Sequence, residues 1–204
     1  MQTKKLLPLE KLILKQAKLS TPIGTITVTA SDTLIHSITL EPIDLLFSFP
    51  SKTNATSDKK DLPLCTVTKK SRLPIIEEAL TQLCEYFDGK RKQFDLPLDF
   101  AQNYLPAEER PSSFRQKVWH ALYSIPYGQT RSYAQIAKAV RNKNAVRAIG
   151  GANNANPFII VVPCHRVINA DGSLGGYGGG SIAKKYLLNL EQKNSECPND
   201  TSLL

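Results

Sequence analysis

The sequence predicts an α+β protein in two parts: a small N-terminal α/β domain over residues 1–109, and a C-terminal helical domain over 110–193 built on a helix-turn-helix, with a tail over 194–204. Three observations carry this expectation. A chain of 204 residues has room for one large domain or two small ones. β-Branched residues concentrate between Thr21 and Leu40. Apolar residues recur at helical intervals from Ser112 to Asn153.

Each element follows from local pattern. Thr25, Ile26, Thr27 and Val28, parted by Ser31-Asp32 from Leu34, Ile35, Ile38 and Leu40, read as a hairpin. Phe49 to Asp61 is polar and turn-rich and reads as a loop. Ile75, Ile76, Leu80, Leu83 and Phe87 are spaced for one helix face, with Pro74 at its start and Gly89 past its end. Phe94, Leu96, Leu98 and Phe100 alternate as a strand would, and the loop from Pro106 to Pro111 marks the boundary. Ser112-Ser113 then opens a helix carrying Phe114, Val118, Trp119, Leu122 and Ile125, which stops near Pro126 and Gly128. Tyr133 to Val140 and Ala145 to Asn153 form two short helices around Arg141 to Lys143, the second containing Gly150-Gly151. Such a pair presents its second helix to DNA in helix-turn-helix proteins, although many helix pairs have no DNA role. Phe158 to Val162 reads as a buried strand ended by Pro163, and Ile182, Tyr186, Leu187 and Leu190 give a last helix an apolar face.

Bulk properties narrow the class. A hydrophobic share of 41% without a long uncharged run indicates neither disorder nor membrane spanning. Lys4 and Lys5 before Leu6-Leu7 begin like a signal peptide, but Pro8, Glu10 and Lys11 interrupt it, so the expected location is the cytoplasm. The net charge of +8 suits a polyanion such as nucleic acid, and equally a well-solvated surface. The four cysteines, Cys65, Cys84, Cys164 and Cys197, are scattered without a Cys-x-x-Cys pair, which argues against disulfides. His36, His120 and His165 lack metal-ligand spacing, so no metal or cofactor is expected, and Cys65 and Cys84 read as small buried core residues.

Chemistry concentrates near Cys164. Following Pro163 and beside His165 and Arg166, it has positive neighbours that stabilise a thiolate; an inert buried thiol is the alternative. Neighbours in a strand face opposite ways, so His165 reaches the sulfur only if the chain turns, which Pro163 allows, or if a water bridges them. Glu191 is a candidate to fix the His165 tautomer, against the reading of a solvated helix-end charge. Asp171 to Gly180 is dense in glycine around Tyr177, a loop that can wall a pocket for a flat base or serve as a plain connector. It lacks the Gly-Lys-Ser/Thr ending of a triphosphate loop.

Pro163-Cys164-His165-Arg166-Val167, preceded by Ser132-Tyr133 and Ala145-Val146-Arg147-Ala148 and followed by Gly176-Tyr177, resembles the bacterial O6-alkylguanine-DNA alkyltransferase family. The resemblance runs in register from Ser113 to Gln192 and extends to Ser20 to Leu40 and Glu85 to Gly89. It implies a ribonuclease-H-like N-terminal domain, a winged helix-turn-helix C-terminal domain, and DNA repair by irreversible, stoichiometric transfer of an alkyl group from O6-alkylguanine to Cys164 after base flipping. O4-alkylthymine is a second substrate left open. The resemblance further implies that His165 acts as base through a water, that Glu191 orients it, that Tyr133 assists the leaving guanine, and that Asn156 braces the turn before the active site. Arg147 matches the arginine that fills the space of the flipped nucleotide, with Ser132, Ala145, Ala148 and Gly150 as further DNA-contacting positions. Pro163, Val167, Tyr177 and Gly178 match pocket positions. The implied partner is double-stranded DNA held through its minor groove by a monomer, with no membrane. Two departures stand out: Gly178 replaces a serine found in some members, leaving only its backbone N–H, and the N-terminal zinc-ligand pattern of some relatives is missing. A catalytically silent damage sensor is the competing class. A papain-like hydrolase needs a distant base, and a methyl-responsive regulator needs a metal-thiolate domain.

Overall fold

The structure, a computed structural model, describes residues 13–42 and 65–195. The interrupted export signal, the polar loop over 49–61 and Cys197 lie outside the described residues. Strands β1 (Lys15–Thr21), β2 (Gly24–Ala30), β3 (Ile35–Pro42) and β4 (Thr66–Lys69) form an antiparallel sheet in the order β3-β2-β1-β4. The predicted hairpin is β2 with β3, paired from Gly24 opposite Pro42 to Ala30 opposite Ile35. Helix α1 (Pro74–Phe87) has the predicted bounds and buries Ile76, Ala79, Leu80, Leu83, Tyr86 and Phe87 beneath the sheet.

The strand expected over Phe94–Phe100 does not form. Pro97 has no N–H to donate, and the segment bridges β3 only at Leu98. There the Ile35 N–H donates to the Pro97 carbonyl at 2.8 Å and the Asp99 N–H to the Ile35 carbonyl at 2.9 Å. Asp99 also ends a buried chain of side chains, with His36 Nδ1 3.0 Å from its Oδ2 and His36 Nε2 2.9 Å from Ser31 Oγ.

In the second half, α2 (Ser113–Tyr123) starts where the Ser112 hydroxyl accepts the Arg115 N–H. A two-residue strand, β5 (Arg131–Ser132), leads into α3 (Tyr133–Ala139) and α4 (Val146–Asn154), the predicted helix-turn-helix. Ile136, Ala137, Ile149 and Ala152 are buried between these helices, and the Trp119 indole N–H donates to the Ala152 carbonyl at 2.8 Å, tying α2 to α4.

The strand expected over Phe158–Val162 is also absent. The residues are buried, but Ile160 has φ of 67° and the Val162 N–H turns back to the Phe158 carbonyl at 2.8 Å. A continuous apolar run reports burial on every side, which a compact coil satisfies as well as a strand does. Only its start meets the sheet: the Ile38 N–H donates to the Pro157 carbonyl at 2.8 Å and the Ile159 N–H to the Ile38 carbonyl at 3.0 Å. Both coils therefore cover the outer edge of β3, which would otherwise expose unpaired backbone groups.

After β6 (Val167–Ile168), which pairs in parallel with β5, the chain ends its described course in α5 (Gly180–Ser195). This helix runs two residues into the predicted tail. Its buried face also differs from the expected one: Ala183, Lys184, Leu187 and Glu191 point inward while Ile182 is 63% exposed. Among the described residues no helix is long and apolar enough to cross a membrane.

Candidate active site

Cys164 does not sit at the mouth of a strand. It begins a 3-10 turn, Cys164–Arg166, for which Pro163 is the capping residue, so the chain bends where His165 needs it to bend. Asn156 holds the preceding coil in shape. Its side-chain N–H groups donate to the Val162 carbonyl at 2.8 Å and the Phe158 carbonyl at 3.5 Å, while its oxygen accepts the Phe158 N–H at 3.0 Å. These bonds replace the ladder that the coil lacks. Cys164 itself is 3% exposed. Burial pushes its thiol up to about 11, against the Asn156 side chain, the Lys184 charge and the N–H groups of Cys164 and His165, all of which favour the thiolate.

The adjacent His165 is fully buried and its Nε2 lies 2.8 Å from Glu191 Oε1. Glu191 is not a solvated helix-end charge. It accepts from Arg166 through both Nε and Nη2 (2.8 and 2.9 Å), from the Tyr86 hydroxyl (2.7 Å) and from the Gly128 N–H (3.1 Å). Burial alone would raise its pKa, but the hydrogen bonds and charges of His165 and Arg166 hold it well below the usual carboxylate range. An ionised carboxylate only accepts, so Nε2 must carry the imidazole proton. Burial keeps His165 below its ordinary value and hence neutral near pH 7, so the lone pair resides on Nδ1. Nδ1 is buried and meets no hydrogen-bonding side chain among the described residues.

The walls around this centre come from three elements. Tyr133, the first residue of α3, is half-buried; burial and then the nearby Cys164 charge raise its phenol. Tyr177 stands edge-on to His165 with ring centroids 6.3 Å apart, and burial raises its phenol well above the ordinary value. Val167 and Pro163 are buried close to Cys164 in the chain. Gly178 is exposed, and a Cβ built there would meet only Asn154 Oδ1, at 3.9 Å. Lys184 anchors the glycine-rich segment from below: fully buried, it donates to the carbonyls of Val167 (2.6 Å), Leu174 and Gly176 (3.2 Å). Desolvation lowers its pKa to about 8.

Outward from the pocket, α4 exposes Val146, Arg147, Ala148 and Gly151, with Gly150 half-buried and Ala145 at the helix cap. Small side chains around one cation let a second surface approach the helix backbone closely. Ser132 is engaged otherwise, in a capping box in which its hydroxyl accepts the Gln135 N–H at 3.2 Å and its N–H donates to Gln135 Oε1 at 2.7 Å.

Three participants were missed at the level of sequence: Tyr86, Arg166 as a Glu191 partner, and Lys184. Arg166 and Lys184 carried one signal, charged residues inside apolar stretches that must find partners when buried. Tyr86 carried none. Cys65 and Cys84 are half-buried rather than buried; burial raises both thiols, and the two side chains are hydrogen-bonded to each other.

Two family descriptions match the chain: "6-O-methylguanine DNA methyltransferase, ribonuclease-like domain" over residues 14–100 and "6-O-methylguanine DNA methyltransferase, DNA binding domain" over 113–193. A methylated-DNA–protein-cysteine methyltransferase of Mycolicibacterium paratuberculosis is 39% identical over 174 residues, covering 85% of this chain and 90% of the relative. The constitutive Bacillus subtilis protein of that name is 48% identical over 126 residues, 61% of this chain and 71% of the relative. Among solved structures, the Mycobacterium tuberculosis O6-methylguanine methyltransferase superposes with a TM-score of 0.66 at 33% identity, covering 92% of this chain and 97% of that one. Mycobacterium tuberculosis OGT in complex with DNA superposes with a TM-score of 0.64 at 36% identity, over 87% and 92%.

Proposed function

The chain belongs to the 6-O-methylguanine DNA methyltransferase family, and from that premise we propose that Cys164 is the atom on which its chemistry ends. The protein is a DNA-repair methyltransferase that moves an alkyl group from damaged DNA onto one of its own cysteines. The lesion we assign is O6-alkylguanine in duplex DNA, entered from the minor groove by α4 of a monomer. On this reading residues 1–109 form a supporting domain and 110–193 carry both DNA binding and chemistry.

The observation that carries the assignment is a buried thiol next in the chain to a neutral imidazole whose tautomer is set by Glu191. At pH 7 a thiol pushed to about 11 is ionised in roughly one molecule in ten thousand, so it needs a local base. His165 Nδ1 takes the thiol proton through one water, and the resulting imidazolium is stabilised by Glu191. The sulfur attacks the alkyl carbon, the C–S bond forms as the carbon–O6 bond breaks, and the guanine leaves with the electron pair. Tyr133 donates a hydrogen bond or proton to the departing ring, limiting the charge that builds on it. A thioether has no leaving group that water can displace, so each molecule reacts once.

Extraction of the base falls to Arg147, which occupies the vacated stack, while Ala145, Ala148, Gly150 and Ser132 line the path of the DNA backbone. Pro163, Val167, Tyr177 and Gly178 enclose the flipped base. The test is peptide mass spectrometry after incubation with an oligonucleotide containing O6-methylguanine. One added methylene unit on the Cys164 peptide, with stoichiometric loss of the lesion, is the expected result. An unmodified Cys164 and an intact lesion, in folded protein that still binds the DNA, favour a silent sensor instead.

A further inference from the structure

Far from α4 in sequence, the N-terminal sheet carries a concentration of positive charge. Lys15 on β1, Lys69 at the end of β4, and Lys70 and Arg72 on the link to α1 line one open basin of about 520 Å³, together with Gln16 and Thr29. Among the described residues no acidic side chain lines it. Among the described residues none of the four cations enters an ion pair, whereas the neighbouring Lys18 is engaged by Glu41 at 3.4 Å.

The local fold explains why the basin stays open. β4 pairs with β1 only at Lys18, Leu19 and Ser20, with its register shifted between Lys18 and Leu19. β1, however, begins at Lys15, so among the described residues Lys15, Gln16 and Ala17 are paired with β2 alone. The Gln16 side chain is held flat against the sheet by donating to Thr29 Oγ1 at 3.1 Å. Among the described residues, what remains is a stretch of unpaired strand edge flanked by four exposed cations.

We propose that this basin is a second DNA-binding surface, which grips phosphodiester groups of duplex outside the lesion site. The chemistry favours a polyphosphate backbone over a compact ligand: the cations are exposed, they are spread over two separate pieces of chain, and no buried polar group converges on a single point. Contacts of this kind add affinity without sequence preference and respond strongly to salt. A surface of this type on the supporting domain lets the protein hold duplex while α4 samples bases. The inference rests on DNA being the partner, and not on the roles assigned around Cys164.

The experiment uses the full chain carrying Lys69→Gln, Lys70→Gln and Arg72→Gln together, three exposed positions. Binding to undamaged duplexes of about 12 and about 40 base pairs is measured between about 50 and 200 mM salt. We expect weaker binding to the longer duplex, with the log–log salt slope shallower by about 1 to 3, near 0.9 per lost phosphate contact. An unchanged slope and affinity at both lengths overturns the proposal. So does a variant that loses affinity for polyglutamate while keeping its DNA binding, because the basin then belongs to an acidic protein. Two controls separate failure of folding or chemistry from failure of the surface: the thermal midpoint, and alkyl transfer from free O6-benzylguanine, whose activated carbon needs no duplex. Both are expected to match the parent protein; if neither protein transfers the benzyl group, the assignment of Cys164 fails while the binding arm still reads out.

Discussion

Glu191 accepts five hydrogen bonds, of which His165 supplies only one. Its carboxylate is therefore fixed before His165 is considered, and the base inherits its orientation. Tyr86→Phe, which deletes a single fully buried donor, is expected to cost about 1–2 kcal/mol in urea unfolding and to slow single-turnover transfer several-fold. A wild-type rate in that variant would reduce Tyr86 to packing. Acid stability follows from the same cluster. Burial holds His165 below the ordinary 6.5, and its partners hold Glu191 below the ordinary 4.5. In both cases the unfolded chain binds more protons than the folded one as pH falls. Stability is thus full above pH 6.5 and is lost on acidification, first through His165 and then, below 4.5, through Glu191. Thermal midpoints followed from about pH 8 to about pH 4 are expected to drop in that order. Arg147→Ala on α4 should slow transfer from duplex about tenfold or more while leaving transfer from the free alkylated base unchanged; equal losses on both would remove its role in flipping.

The glycine-rich segment before α5 is an element whose shape depends on two neighbouring positions of different character. A Cβ at Gly179 would lie 2.6 Å from Leu40 Cδ2 and 2.7 Å from Tyr177 Cε1. Gly179→Ala therefore displaces the ring that faces His165, with an expected destabilisation of about 1–3 kcal/mol and transfer slowed by up to about a hundredfold. Gly178→Ser meets open space and is expected to fold with an unchanged melting temperature; a large drop would contradict the geometry. Helices were the legible elements, because the 3.6-residue period of Ile76, Leu80, Leu83 and Phe87, or of Val118, Trp119 and Leu122, survives in any amphipathic environment. The coil over Phe158–Val162 was not legible as a coil, since an unbroken apolar run fits any fully enclosed backbone. On α5 the pattern pointed to the wrong face because two of the inward positions, Lys184 and Glu191, are charged and find their partners inside. Cys164, His165 and Glu191 were legible as a set, and the structure brings the last two into direct contact. Tyr86 was not, because its partner lies 105 residues away and a buried phenol leaves no local pattern.

At the scale of the molecule, the two halves are joined through backbone bonds along β3 and through the Tyr86 hydroxyl. Such a joint predicts cooperative unfolding. Fluorescence of Trp119, the chain's single tryptophan, reports on the helical half, while the near-ultraviolet signal of the tyrosines reports on both. Their urea midpoints are expected to coincide, and separate midpoints would mean that the halves melt independently. Phe158→Ala, at the joint and fully buried, is expected to lower both together by about 3–5 kcal/mol.

The joint also gives the Cys164 sulfur a history. During synthesis Cys164 leaves the ribosome before Glu191, and Tyr86 has been waiting since much earlier in the chain. Until α5 closes over the site, His165 lacks the Glu191 carboxylate that fixes its proton. On the proposed reading, the acceptor thiol of a protein that acts once gains its base only after the segments that surround it have been made.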